Sequence, residues 1–231
     1  MKISIRGPIV SSNQHRFYKW YGMEATSPKS VADALAKGNG ERAEVEINSG
    51  GGEIFAASEI YTALRNYAGG VHIRIVGLAA SAASIIAMAG ESEMTPTGMM
   101  MIHNVQTEAS GDYRQMEQTA GVLRDANHAI TSAYIAKTGK SEQEIAAMMD
   151  AETWVTAERA VELGLIDRVM QLGSGQKPLA ADFYSGMLSE DALRRAENLI
   201  KNQAAAPDFF KPERAQAEAK LKFLKLKGEL K

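Results

Sequence analysis

The groups with chemistry to offer in this chain are four histidines and two turns rich in glycine or serine, and there is no cysteine. Disulfides, thiolate metal sites and cysteine nucleophiles are therefore excluded. His15, His72, His103 and His128 show no ligand spacing such as HExxH, so no metal site is expected. Neither GxxxxGK(S/T) nor GxGxxG occurs, and Gly50-Gly51-Gly52 has no phosphate-binding lysine beside it. No ATP site of its own is expected, which leaves hydroxyl chemistry. Gly77-Leu78-Ala79-Ala80-Ser81-Ala82-Ala83-Ser84 puts Ser81 where a strand gives way to a helix, among small neighbours that let a substrate approach. This is not the GxSxG elbow. The pattern suits a helix N-cap as well as a nucleophile, and Ser84 is open to both readings too. Asn48-Ser49-Gly50-Gly51-Gly52-Glu53 also lies between a strand and a helix. Its glycines allow a sharp turn with exposed N–H groups, suited to an oxyanion or simply to a tight turn. A serine nucleophile needs a base, and the base an orienting acid. His103 ends the apolar run Met99–Ile102, and that position favours it over His72 in mid-strand, His128 in a helix and His15 in a polar stretch.

The elements that must position these residues alternate. Lys2–Ile5, Glu44–Asn48, Val71–Val76 and Met99–His103 read as strands; Leu165–Met170 reads as the last strand of the domain. Helices are expected from the capped start Ser27-Pro28 and Ser30 up to Gly38, over Ile54–Asn66, over Ser84–Ala89, over Tyr113–Thr138 up to Gly139, after the capping box at Ser141, and from Thr156 through Leu163. Repeated strand–helix–strand order predicts an α/β domain with a mainly parallel sheet.

Four segments in order then resemble the ClpP family of serine peptidases. They are Ile47-Asn48-Ser49-Gly50-Gly51-Gly52, Gly77-Leu78-Ala79-Ala80-Ser81-Ala82-Ala83, Met101-Ile102-His103-Asn104, and the run from Trp154-Val155-Thr156-Ala157-Glu158 to Leu163-Gly164-Leu165-Ile166-Asp167. The resemblance covers about residues 40–172. It implies a ClpP/crotonase-type α/β fold, with Ser81 as nucleophile, His103 as general base, and the N–H groups of Gly52 and Ala82 as the oxyanion hole. It implies a homo-oligomer of rings, stacked through the region of the helix from Tyr113, and no cofactor. The family usually has proline where Gly50 stands, so this turn is looser. Counting back from Trp154 puts the third triad member on Glu152; Asp150 lies two residues earlier, and a carboxylate of either length could orient His103.

The ends depart from ClpP proper. The start, with Phe17-Tyr18-Lys19-Trp20-Tyr21, is unlike the segment that lines the family's axial pore and works with an ATPase unfoldase. A long extension follows the peptidase domain. This pattern resembles the ClpP-like head maturation proteases of tailed phages and prophages, which implies capsid or scaffold proteins as substrates and a location in the cytoplasm or the prohead. The extension would target the protease to the shell or be removed by it. The alternatives are the proteolytic subunit of an ATP-dependent Clp protease, a crotonase-like enzyme of acyl-CoA, and a catalytically silent scaffold component.

Composition agrees with a globular chain. Of 231 residues, 45% are hydrophobic and 23% charged, enough for one buried core with an appendage. A net charge of −2 lacks the basic field of a nucleic-acid binder. The start reads as no signal peptide, and Ile75–Gly90 is too short to span a bilayer, so no membrane partner is expected. The expected organisation is a peptidase domain over 1–172, a linker over 173–188 and a helical or disordered basic extension over 189–231, whose Leu221, Phe223, Leu224 and Leu226 are interleaved with lysines.

Overall fold

A computed structural model describes residues 1–171, within one compact unit, Met1–Gln176. The expected linker and basic extension lie outside the described residues. The elements run β1 (Lys2–Arg6), α1 (Ser12–Trp20), α2 (Pro28–Lys37), β2 (Ala43–Ser49), α3 (Ile54–Arg65), β3 (Val71–Ala80), α4 (Ala82–Ala87), β4 (Glu91–Met94), β5 (Met99–Ile102), α5 (Tyr113–Thr138), α6 (Glu142–Asp150), β6 (Thr153–Thr156), α7 (Ala157–Glu162) and β7 (Arg168–Val169). This is the expected mixed α/β fold. Strands β1-β2-β3-β4-β7 form a parallel path, and β5 pairs with β3 on one side and, antiparallel, with β6 on the other.

Alternation along the strands decides which way each residue faces. Ile3 and Ile5, Val45 and Ile47, Ile73 and Ile75, and Met94 turn to one face, where they are buried with Val31 and Leu35 of α2, Ile60 and Leu64 of α3, and Ile86 of α4. The opposite face carries charge in cross-strand register: Glu46 stands beside Arg74, Arg74 beside Glu93, and Glu93 beside Arg168. Lys2 Nζ lies 2.8 Å from Glu46, Arg74 Nε 2.9 Å from Glu93, and Arg168 Nε 3.1 Å from Glu93. Opposite charges directly across a sheet attract, and here they finish a face that a parallel sheet usually buries under helices.

The sheet forks where it approaches the serine turn. Ile47 pairs with Ile75, but Ser49 pairs with Ala79, so β3 carries two more residues than β2 over this stretch. Asn48 Oδ1 fills the gap in the ladder by accepting the Leu78 N–H at 3.1 Å. A Cβ on Gly77 would stand 2.5 Å from that oxygen, so a larger residue there would displace the Asn48 amide from the ladder. Beyond the bulge Leu78–Ala80 pair with Met99–Met101 of β5.

This pairing extends β3 past the expected end at Val76. The helix after it begins at Ala82 rather than Ser84, and the last strand shrinks to Arg168–Val169, because Leu165 and Ile166 close the turn after α7. Three elements were not expected: α1, opened by a capping box at Ser11, and the four-residue strands β4 and β6. Among the described residues no helix is long and apolar enough to cross a membrane.

Candidate active site

Ser81 is the single residue between β3 and α4, and its N–H donates to Met101 O at 2.9 Å. Its backbone sits at φ +54°, ψ −127°, a left-handed φ that a side-chain-bearing residue rarely adopts. Such a conformation costs about 1–3 kcal/mol and persists only where the surroundings impose it. Ser81 occupies the N-cap position of α4 but makes no side-chain cap bond. Its Oγ lies 2.7 Å from His103 Nε2. His103 follows β5 by one residue, and the parallel pairing of Ala80 with Met101 brings the ends of β3 and β5 side by side. With Nε2 accepting the serine proton, the imidazole carries its own proton on Nδ1. Nδ1 is the one buried side-chain nitrogen or oxygen among the described residues that has no hydrogen-bond partner. Ser84, the other candidate, is fully buried, and its hydroxyl is engaged with Ser81 O at 2.6 Å and Tyr134 at 2.7 Å.

The glycine turn packs directly against this serine. A Cβ on Gly51 (φ +101°) would meet Ser81 Cβ and Ala80 O at 2.8 Å and Ala82 N at 3.0 Å. Gly52 (φ +147°) backs onto Ile9, whose oxygen an added Cβ would meet at 2.1 Å. Ile9 N–H donates to Gly51 O, and Glu53 N–H to Ile9 O, both at 2.8 Å. The turn is thereby stapled to the strand-like segment at Ile9, and Glu53 caps α3 by accepting from Phe55 and Ala56 N–H. The N–H groups of Gly52 and Ala82 have no acceptor among the described residues. Both residues line, with Ser81 and His103, a cavity of about 740 Å³ whose apolar wall includes Ile85, Val105, Leu123 and Ile130.

The structure thus brings Ser81, His103, Gly52 and Ala82 together. It brings neither expected carboxylate onto His103. Asp150 ends α6 exposed, and its Oδ1 accepts from Asn104 Nδ2 at 2.7 Å. Glu152, also exposed and at a left-handed φ of +46°, accepts from Trp154 Nε1 at 3.5 Å. The backbone register separates the two. Ile102 and Thr153 are the last pair of the antiparallel β5–β6 ladder, and His103 and Glu152 are the residues next beyond it, whereas Asp150 belongs to α6.

A hydroxyl on an imidazole, two free N–H donors and an apolar cleft are the parts of an acyl-transfer site. Sequence reasoning did not find the bulge made by Asn48 and Gly77, or the contact of Ser84 with Tyr134. Tyr134 lies at helical spacing and reads simply as core.

Comparison with known proteins finds relatives among Clp proteolytic subunits. A chlamydial protein, the "ATP-dependent Clp protease proteolytic subunit 1" of Chlamydia abortus, is 28% identical over 159 residues, 64% of this chain and 83% of that protein. The protein of the same description from Streptomyces avermitilis is 31% identical over 144 residues, covering 61% of this chain and 66% of its own length. The "ATP-dependent Clp protease proteolytic subunit" of Bacteroides fragilis is 30% identical over 134 residues, 57% of this chain and 65% of its own. The sequence matches the Clp protease family as a whole over residues 33–173, a stretch that contains the serine turn, the histidine and the glycine turn, and the chain belongs to that family.

Proposed function

We propose that this chain is a serine endopeptidase of the Clp type, with Ser81 as nucleophile and His103 as general base. The observation that carries the reading is the 2.7 Å contact between Ser81 Oγ and His103 Nε2 on a serine whose backbone is held at a strained φ. Ser81 Oγ attacks the substrate carbonyl carbon as its proton passes to Nε2. The carbonyl oxygen takes the negative charge and is received by the N–H groups of Gly52 and Ala82, an effect worth about 3–4 kcal/mol per donor in comparable sites. His103 returns the proton to the leaving amine, and water, activated in the same way, hydrolyses the acyl-enzyme. A carboxylate on Nδ1–H holds the imidazole in the working tautomer. Counting back from Trp154 favours Glu152, next beyond the β5–β6 ladder; Asp150 is the other candidate, already bonded to the neighbouring Asn104.

The test is labelling by a fluorophosphonate serine probe. Labelling should vanish in Ser81→Ala and fall by about 10³-fold or more in His103→Ala. Glu152→Gln should lose far more than Asp150→Asn. A wild-type protein that resists the probe, or a Ser81→Ala variant that takes it, would sink the assignment.

For the physiological role, the reading is an ATP-independent protease that trims capsid or scaffold proteins during phage head maturation. Its support is the resemblance of the long stretch beyond residue 173 to that group, added to the motif order of the Clp family. Self-association into rings is part of the reading, and the exposed Tyr113, Met116 and Val122 on the first half of α5 suit such contacts. A second reading, the proteolytic subunit of an ATP-dependent protease, is favoured by the descriptions of the relatives. Cleavage of a capsid protein without ATP supports the first; cleavage of folded substrates only with an unfoldase and ATP supports the second.

A further inference from the structure

Ser81 does not hold its unusual backbone alone. Its carbonyl oxygen accepts two hydrogen bonds from one residue, the Ser84 N–H at 2.9 Å and the Ser84 hydroxyl at 2.6 Å. Ser84 Oγ in turn lies 2.7 Å from the Tyr134 hydroxyl. A serine hydroxyl has one proton, and a carbonyl can only accept. The Ser84 proton therefore goes to Ser81 O, and Tyr134 gives its own proton to Ser84 Oγ. The relay runs from α5, through α4, to the peptide that follows the serine. Both hydroxyl residues are sealed from solvent, Tyr134 at 1% exposure and Ser84 at 0%. Burial pushes the Tyr134 phenol well above its ordinary value, against the opposing pull of the Ser84 bond, so the phenol remains a donor at any working pH.

Planarity of the peptide turns this contact into a positioning device. The Ser81 carbonyl and the Ala82 N–H belong to one rigid peptide unit and point in opposite directions. Drawing the carbonyl toward Ser84 turns the Ala82 N–H toward the cavity. The same constraint limits the ψ of Ser81 and so steadies the direction of its Oγ.

We infer that Tyr134 and Ser84 are positioning residues for Ser81, acting by a buried hydroxyl relay that aims the nucleophile and one oxyanion donor together. The inference rests on the reading of Ser81 as the nucleophile. It concerns residues that touch neither the substrate's reacting atoms nor His103.

The test compares Tyr134→Phe, Ser84→Ala and the double variant in the full chain, reading fluorophosphonate labelling with the maximal rate separated from the half-saturating concentration. Tyr134→Phe should lower the maximal rate by about 3–10-fold and Ser84→Ala by about 10–100-fold, in line with the sensitivity of such reactions to small misplacements. The half-saturating concentration and the pH midpoint of labelling should stay in place, because Tyr134→Phe keeps the ring that lines the cleft, Ser84 lies outside the lining, and His103 is untouched. Since Tyr134 acts through Ser84, the double variant should be no slower than Ser84→Ala. Wild-type rates in Tyr134→Phe and Ser84→Ala overturn the relay, as do losses that multiply in the double variant. Tyr134→Phe removes one oxygen and keeps the ring, so it decides the matter even if Ser84→Ala does not fold. Failure of wild type to label, or labelling that survives Ser81→Ala, overturns the nucleophile assignment and the relay with it.

Discussion

Gly52→Ala should separate the structural from the catalytic work of the glycine turn. The φ of +147° at this position is outside what an L side chain tolerates, and the new Cβ would stand 2.1 Å from Ile9 O and 2.8 Å from Ile9 N. Those atoms are backbone, so no side-chain rotation relieves the clash. The chain cannot keep this conformation against a backbone clash, so the turn moves away from Ile9. Movement loosens the Ile9 N–H to Gly51 O and Glu53 N–H to Ile9 O bonds, each worth about 1 kcal/mol. The two bonds together, about 2 kcal/mol, would lower the melting midpoint by roughly 4–8 °C in a domain of this size. Movement also withdraws the Gly52 N–H from the cavity, and losing one oxyanion donor costs about 10²–10³ in rate. Gly50→Ala is the internal control, because its φ is not in the left-handed region and nothing lies within 4 Å of its added Cβ. It should match wild type or gain about 0.5 kcal/mol. The assay is thermal denaturation together with the probe-labelling rate of both variants. A Gly52→Ala protein that melts and labels like wild type would refute the argument from backbone geometry and the oxyanion role together.

Three further outcomes are expected. Ser81→Gly removes the nucleophile but also relieves the strained φ of +54°, so it should be more stable than Ser81→Ala by about 1 kcal/mol, read by urea denaturation, while neither variant labels. Gly77→Ala drives a Cβ to 2.5 Å from Asn48 Oδ1 and should cost about 1–3 kcal/mol. Asn48→Ala in the same chain should recover part of that loss; a purely additive double variant would place the strain elsewhere. Acid should weaken the charged sheet face. The Arg168 hydrogen bond, then that of Arg42, holds Glu91 at about 2 against an ordinary 4.5. For Glu93, burial pushes upward, but the bonds from Arg74 and Arg168 outweigh it and leave the group lowered. The unfolded chain thus binds these protons more readily than the folded one, so their contribution is complete above about pH 4.5 and is lost as pH falls toward 2. The urea midpoint should drop between pH 5 and pH 3, and Arg168→Met should flatten that drop; an unchanged slope in this variant would count against the ion-pair account.

What the sequence made legible follows from which signals are local. Alternation at Val45–Ile47 and Val71–Ile75, and the caps at Ser27, Ser141 and Gly139, depend on neighbouring residues, and those elements stand where they are expected. The strand β6 and the upper half of β3 have no such signal. Thr153–Thr156 becomes a strand because β5 lies beside it, and Leu78–Ala80 remain extended because Met99–Met101 pair with them. The serine and the histidine were legible because motif order carried them; the contact between their side chains is a product of the pairing of β3 with β5. The acid was ambiguous in sequence because two carboxylates lie two residues apart. The sequence does not show that the β5–β6 ladder ends at Ile102 and Thr153, next to His103 and Glu152, or that Asp150 still belongs to α6.

The distribution of constraint around Ser81 explains why half of the machinery is assembled and the acid is not. The serine peptide is held on its N–H by Met101 O, on its carbonyl by Ser84, and from below by the bare Cα of Gly51. All three contacts come from backbone or from residues inside the core, where close packing leaves no second arrangement. A strained φ can be sustained there because relaxing it would break several bonds at once. Glu152 has the opposite surroundings. It is exposed, it lies just outside a four-residue strand, and among the described residues its side chain reaches one long contact, with Trp154. Holding a long side chain in one rotamer costs entropy that a single exposed hydrogen bond does not offset. The orphaned proton of His103 Nδ1 is the other side of that account, since a buried donor without a partner costs about 1–3 kcal/mol. On the proposed assignment of Glu152 as the third member, that cost falls when its carboxylate arrives, so whatever restricts Glu152, whether an occupied cleft or a neighbouring copy packed against Trp154, draws its favourable energy from the histidine itself.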